Sequence, residues 1–159
     1  MILKETARCL LVLVCILILT ACERSIDNAI DQEMIHDEYT IIHKIVVGKG
    51  DVVFFERTRN KDVGIAFIDK SRRKSKTQIG GYLGLDDDDA SWHYSSADLG
   101  GEELSVYYGR LSDSPHGKNV WIHLGEEKKR ATLFESSSRT LWVVLLTERL
   151  VVNEIKVIY

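Results

Sequence analysis

From Gly50 onward the chain is cut into short apolar segments by turn signals, and this punctuation restricts the fold more than any other feature. Segments 51–58 and 63–69 flank a turn at Arg59, Asn60, Lys61 and Asp62. Segment 77–83 follows a basic loop, and 104–111, 120–124, 130–135, 141–147 and 150–158 complete the series. Short β-branched and aromatic runs bounded by Gly, Asn, Asp and Ser read as strands. In one of them Leu104, Val106 and Tyr108 alternate with Ser105 and Tyr107, the pattern of a half-buried strand. In another, Val120, Ile122 and Leu124 share one face and put Asn119, Trp121 and His123 on the other. Residues 141–146 are apolar on both faces, which predicts a central strand.

Ahead of this region, residues 26–46 have helical spacing. Ile26, Ile30, Met34, Ile41 and Ile45 fall on one stripe, widened by Ile35, Tyr39, Ile42 and Val46, while Asp31, Gln32, Asp37 and Glu38 lie off it. Ser25 is placed to cap such a helix, Asp27 suits its first turn, and Gly48 and Gly50 end it. The last part, 40–47, is β-branched enough to form a strand instead. The expected class is therefore α+β, mainly β, with one N-terminal amphipathic helix packed against an antiparallel sheet or small sandwich. No internal repeat or Pro-rich linker interrupts residues 26–159, which read as one globular domain.

The first residues carry an address. Lys4 and Arg8 precede an uncharged run of 13 residues, 9–21, too short for a comfortable membrane span but suited to a signal-peptide core. Leu19-Thr20-Ala21-Cys22 closes the run and resembles the lipobox of bacterial lipoproteins. That resemblance implies cleavage before Cys22, a diacylglycerol on its thiol, and further acylation of the palmitate type. It makes residues 1–21 a signal peptide and 22–25 a short tether. Acyl chains bury about 0.8 kcal/mol per methylene, and two together anchor stably. The implied location is the extracytoplasmic face of a cell membrane.

Further segments resemble small uncharacterised lipoproteins of spore-forming Gram-positive bacteria. They are Asp51-Val52-Val53-Phe54-Phe55, Tyr107-Tyr108-Gly109-Arg110-Leu111-Ser112-Asp113, Asn119-Val120-Trp121-Ile122 and Arg139-Thr140-Leu141-Trp142. This resemblance implies an envelope location and no particular activity.

Cysteine usage agrees with that address. Cys9, Cys15 and Cys22 all lie at or before the cleavage point, so the mature domain has no disulfide and no thiol nucleophile or ligand. It must be held by its apolar core, which a chain of this length can supply. Losing Lys4, Glu5 and Arg8 moves the net charge from −3 to about −4. A mild negative balance gives no electrostatic footprint for nucleic acid.

Several constellations invite chemistry, and each has a plainer reading. Asp86, Asp87, Asp88 and Asp89 supply carboxylates for a cation, yet an EF-hand loop from Asp86 would put Ser91 where Gly is required, so a solvated loop is preferred. Arg72, Arg73, Lys74 and Lys76 could meet lipid phosphates or a wall polymer, but such a loop also serves solubility. Among the histidines, His36 and His43 stand two turns apart, and His36, His43, His93, His116 and His123 form no zinc-binding pair. Ser112, Asp113, Ser114 and His116 cluster around Pro115 and Gly117 as turn chemistry, not as a triad. Gly80-Gly81 and Gly100-Gly101 lack a phosphate-loop ending.

No cofactor, metal or catalytic residue is therefore expected. The expected role is a non-enzymatic envelope module that binds a protein or wall polymer. Trp92, Tyr107 and Trp121 are the candidate binding surface if they share an exposed face. The alternative is an envelope hydrolase or metal-dependent enzyme, in which Asp86 to Asp89 converge with His93 and His123 in one pocket.

Overall fold

The computed structural model describes Ile30 and residues 38–71, 75–84, 91–111, 119–137, 139–148 and 155–158. The chain divides into two compact units, Met1–Ile35 and His36–Tyr159. In the first only Ile30 is described, and it is buried. All the described strands lie in the second.

Every regular element among the described residues is a strand, so the expected α+β class, with its helix packed on the sheet, is corrected to a β architecture; residues 26–29 and 31–37 of that expected helix lie outside the described residues. The stretch expected to finish the amphipathic helix is strand β1, Tyr39–Val47. Two physical causes decide this. Six of the eight residues 40–47 are β-branched, which favours extended backbone. The strand also carries a β-bulge between Ile41 and His43, where its register with the next strand shifts. The bulge breaks strict alternation and brings Ile42, Ile45 and Val47 to the same core. An inward spacing of three then imitates a helical stripe.

A two-residue turn, Gly48-Lys49, joins β1 to β2 (Gly50–Arg57). Gly48 has φ +51° at the first central position, where L side chains are strained and where tight hairpins prefer glycine. Strands β3 (Val63–Asp69) and β4 (Lys76–Leu83) continue the meander, giving a four-stranded antiparallel sheet in the order β1-β2-β3-β4. The second sheet has the order β5-β6-β10-β9, from Trp92–Asp98, Glu103–Arg110, Thr140–Leu146 and Thr132–Glu135. The third is small: β11 (Ile155–Ile158), β7 (Trp121–Leu124) and β8 (Glu127–Arg130). Its β7–β8 turn repeats the first hairpin's solution, with Gly125 at φ +64°.

The three sheets stack as layers, and two cores lie between them. The larger joins Val52, Phe54, Ile65 and Phe67 of the first sheet to Leu104, Val106, Tyr108, Leu141 and Val143 of the second. The smaller lies on the other face of the second sheet, where Tyr107, Trp142 and Val144 meet Ile122 and Leu124 of the third. Strand β10, between β6 and β9, thus feeds Leu141 and Val143 into one core and Trp142 and Val144 into the other. That is the central strand expected from an unbroken apolar run. For the same reason β6 is buried on both faces, where alternation alone predicts a half-buried strand.

The first two sheets also meet at their lateral edges, β4 beside β5 and β1 beside β9. His43 on β1 stacks on Phe134 of β9, with ring centroids 4.6 Å apart and planes within 8°. Gln78 on β4 donates to the Ser96 carbonyl of β5 at 3.4 Å. Two strands, β5 and β8, were not expected. Both are edge strands with polar sequences, Trp-His-Tyr-Ser-Ser-Ala-Asp and Glu-Lys-Lys-Arg. Charge on an exposed edge is a normal defence against further strand pairing.

Candidate functional site

The register of the third sheet determines what its outer face presents. Ile122 and Leu124 are buried against the second sheet, so Trp121 and His123 point the other way, as alternation requires. Opposed residues in an antiparallel pair share a face. Trp121 is paired with Arg130 and Ile158, and His123 with Lys128 and Lys156. One face therefore carries Trp121, His123, Lys128, Arg130, Lys156 and Ile158, with no carboxylate among them.

Lys128, Arg130, Lys156 and Ile158 are exposed, and Ile158 is among the few large exposed apolar residues. Trp121 is half-buried, and the Lys128 ammonium sits 4.9 Å from the centre of its ring. The negative face of an indole favours a cation there, which fixes the Lys128 side chain over the aromatic. Glu127 and Lys129, one residue out of phase, pair with each other at 2.7 Å on the opposite side of β8.

A groove of about 500 Å³ adjoins this face, lined by Asn119, Val120, Arg130, Ala131, Thr132 and Leu133. Its wall forms where the chain passes from β8 to β9, held by the Ala131 amide donating to the Val120 carbonyl at 3.0 Å. Arg130 belongs to both the groove and the cationic face.

The three aromatics expected to form a binding surface are divided between layers. Tyr107 is 2% exposed in the smaller core. Trp92 is half-buried at the rim of that core, its ring 6.3 Å from Tyr107. Tyr94 packs 5.0 Å from the same ring and shares a hydrogen bond with the Ser105 hydroxyl at 3.3 Å. Trp121 faces away from this group. The structure brings Trp92 to Tyr107 and leaves Trp121 with the cations of β8 and β11. Sequence reasoning missed Lys128, Arg130, Lys156 and Ile158 as neighbours of Trp121: β8 was not legible as a strand, and the pairing of β7 with β8 and β11 leaves no local mark in the sequence.

His93 and His123 are not brought together. His93 is paired with Tyr108 on the face of the second sheet turned toward the first, with ring centroids 5.9 Å apart. His123 lies on the outer face of the third sheet, with the smaller core between them. Among the described residues no group of three or more His, Cys, Asp or Glu is placed to hold a metal. Asp86 to Asp89, Arg72 to Lys74, the 112–118 turn, His36, and the signal and Cys22 lie outside the described residues.

A second cavity of about 250 Å³, between β3, β4 and β5, is edged by Asp69, Lys76, Gln78 and Asp98. Its carboxylates serve turns: Asp69 accepts the Ser71 amide at 2.8 Å, and Asp98 accepts the Gly101 amide at 2.7 Å.

Comparison with family models, curated proteins and solved structures returned no match.

Proposed function

We propose that this chain is a lipoprotein, anchored through Cys22 on the extracytoplasmic face of a cell membrane, and that its β domain is a non-enzymatic binding module. The observation that carries the binding role is the gathering of Trp121 with Lys128, Arg130 and Lys156 on one open sheet face. An aromatic ringed by cations suits an anionic partner, whether an envelope protein or a wall or membrane component. Trp92 and Tyr107 contribute from beneath, by building the core on which the third sheet rests. The address comes from Leu19-Thr20-Ala21-Cys22 and the 13-residue apolar run before it.

Fractionation tests this reading. In a producing bacterium, wild type is expected in the membrane fraction and open to added protease from the outer side. Cys22→Ala is expected to accumulate unprocessed. Identical processing and distribution of the two proteins would count against lipid anchoring.

A further inference from the structure

We infer that the outer face of the third sheet docks onto the headgroups of an anionic bilayer. Trp121 and Ile158 meet the interface, while Lys128, Arg130 and Lys156 face its phosphates. This rests on the proposed membrane address only for proximity; the chemistry belongs to the face itself.

Charge complementarity carries the argument. The mature chain is net negative, about −4, so an anionic membrane repels it overall. This face runs against that balance: three exposed cations and one histidine stand at its six paired positions, with no carboxylate among those six. Its apolar members are the residue types that rest at membrane interfaces, a half-buried Trp and an Ile that is 42% exposed. The adjoining groove has Arg130 at its lip and Asn119 and Thr132 on its walls, a place for a phosphate to leave the plane of the sheet.

Each basic residue near an anionic surface strengthens binding roughly fivefold. Three such contacts are weak for a free domain and sufficient for a tethered one, whose effective concentration at the bilayer is high.

The test is lysine footprinting on the protein purified from a bacterium that processes it. The protein is placed in phosphatidylcholine vesicles and in vesicles that also contain phosphatidylglycerol. Accessible lysines are then acetylated and read by mass spectrometry. Labelling of Lys128 is expected to fall roughly fivefold or more when phosphatidylglycerol is present, and to recover as salt rises. Lys49, exposed in the β1–β2 turn, reports any general loss of access and is expected to label equally on both. With Arg130→Gln and Lys156→Gln combined, Lys128 is expected to label on the anionic vesicles as it does on the neutral ones.

Equal labelling of wild-type Lys128 on the two vesicle types overturns the inference. So does protection by soluble poly(glycerol phosphate) without protection on vesicles, which assigns the face to a wall polymer. The intact mass of the same sample separates the two claims. A chain without lipid but with Lys128 protected defeats the anchor alone, and a lipidated chain with Lys128 unprotected defeats the docking alone.

Discussion

Ser137 donates both its amide and its hydroxyl to the buried carboxylate of Glu56, at 2.9 and 2.5 Å, across 81 residues of sequence. The contact ties the end of β2 to the β9–β10 turn and so joins the first sheet to the second at one corner. Lys61 adds its ammonium at 3.5 Å. Burial pushes the Glu56 carboxyl up, but the two Ser137 hydrogen bonds and the Lys61 charge outweigh it and hold the group below its ordinary range.

Glu56→Gln is therefore expected to destabilise the domain by about 1–3 kcal/mol, the usual worth of hydrogen bonds to a charged group. Urea unfolding checks this. A carboxyl lowered by folding contributes stability above its unfolded value of 4.5, and that stability is lost as pH falls through the folded value. The gap between wild type and Glu56→Gln should accordingly shrink below about pH 4.5.

His43 gives a second acid dependence, at higher pH. Burial against Phe134 lowers its pKa from 6.5, so the folded protein holds the ring neutral where the unfolded chain would protonate it. The sign follows: stability is complete above pH 6.5 and declines as pH falls toward the lowered folded value. His43→Phe is expected to keep the stacking and remove this part of the decline. Melting temperatures at about pH 7.5 and about pH 5.5 should converge in the variant.

Tyr108 acts at the alkaline end. Burial in the larger core pushes its phenol up to about 12. A raised acid pKa means that the folded state keeps a proton the unfolded state loses, so stability is intact below pH 10 and falls between 10 and about 12. Absorbance titration should show one of the six tyrosines ionising last, and Tyr108→Phe should delete that step.

Gly109 lies under the Trp142 indole. A Cβ there would stand 2.8 Å from two indole carbons and 2.8 Å from the Ser91 carbonyl oxygen. Trp142 is fully buried and cannot swing aside, so Gly109→Ala is expected to cost about 1–3 kcal/mol through overpacking. Gly81→Ala is the contrast: its nearest neighbour, the Tyr108 hydroxyl, is 3.4 Å away, an ordinary contact. Its midpoint in denaturant should stay near wild type.

What was legible in the sequence follows from how locally each feature is encoded. Val63–Asp69 was legible to the residue because turn signals bound a continuous apolar run. Residues 141–146 announced a central strand because no polar residue interrupts them, and burial on two sides is what such a run requires. β5 and β8 escaped because each is held by one neighbour, whose hydrogen bonds leave no mark on side-chain composition. β1 was read first as the end of a helix, with a strand as the alternative, because Ile41, Ile42, Ile45 and Val46 fall at helical spacings; pairing with β2 and the bulge between Ile41 and His43 instead leave Ile41 and Val46 exposed.

The candidate site was half legible for the same reason. Trp121 was visible as the outward residue of its strand. Its cationic neighbours are set by pairing register with β8 and β11, which depends on strands distant from or invisible to local pattern. Tyr107 looked like a surface residue by alternation with Val106 and is buried because a third layer covers that face.

Intact mass decides whether the β domain is held at the membrane by lipid on Cys22. Lipid anchoring requires a mature protein that begins at Cys22 and carries the added mass of its acyl groups, with that addition absent from Cys22→Ala. A wild-type protein cleaved at another residue, or one that begins at Cys22 with no added mass, contradicts it.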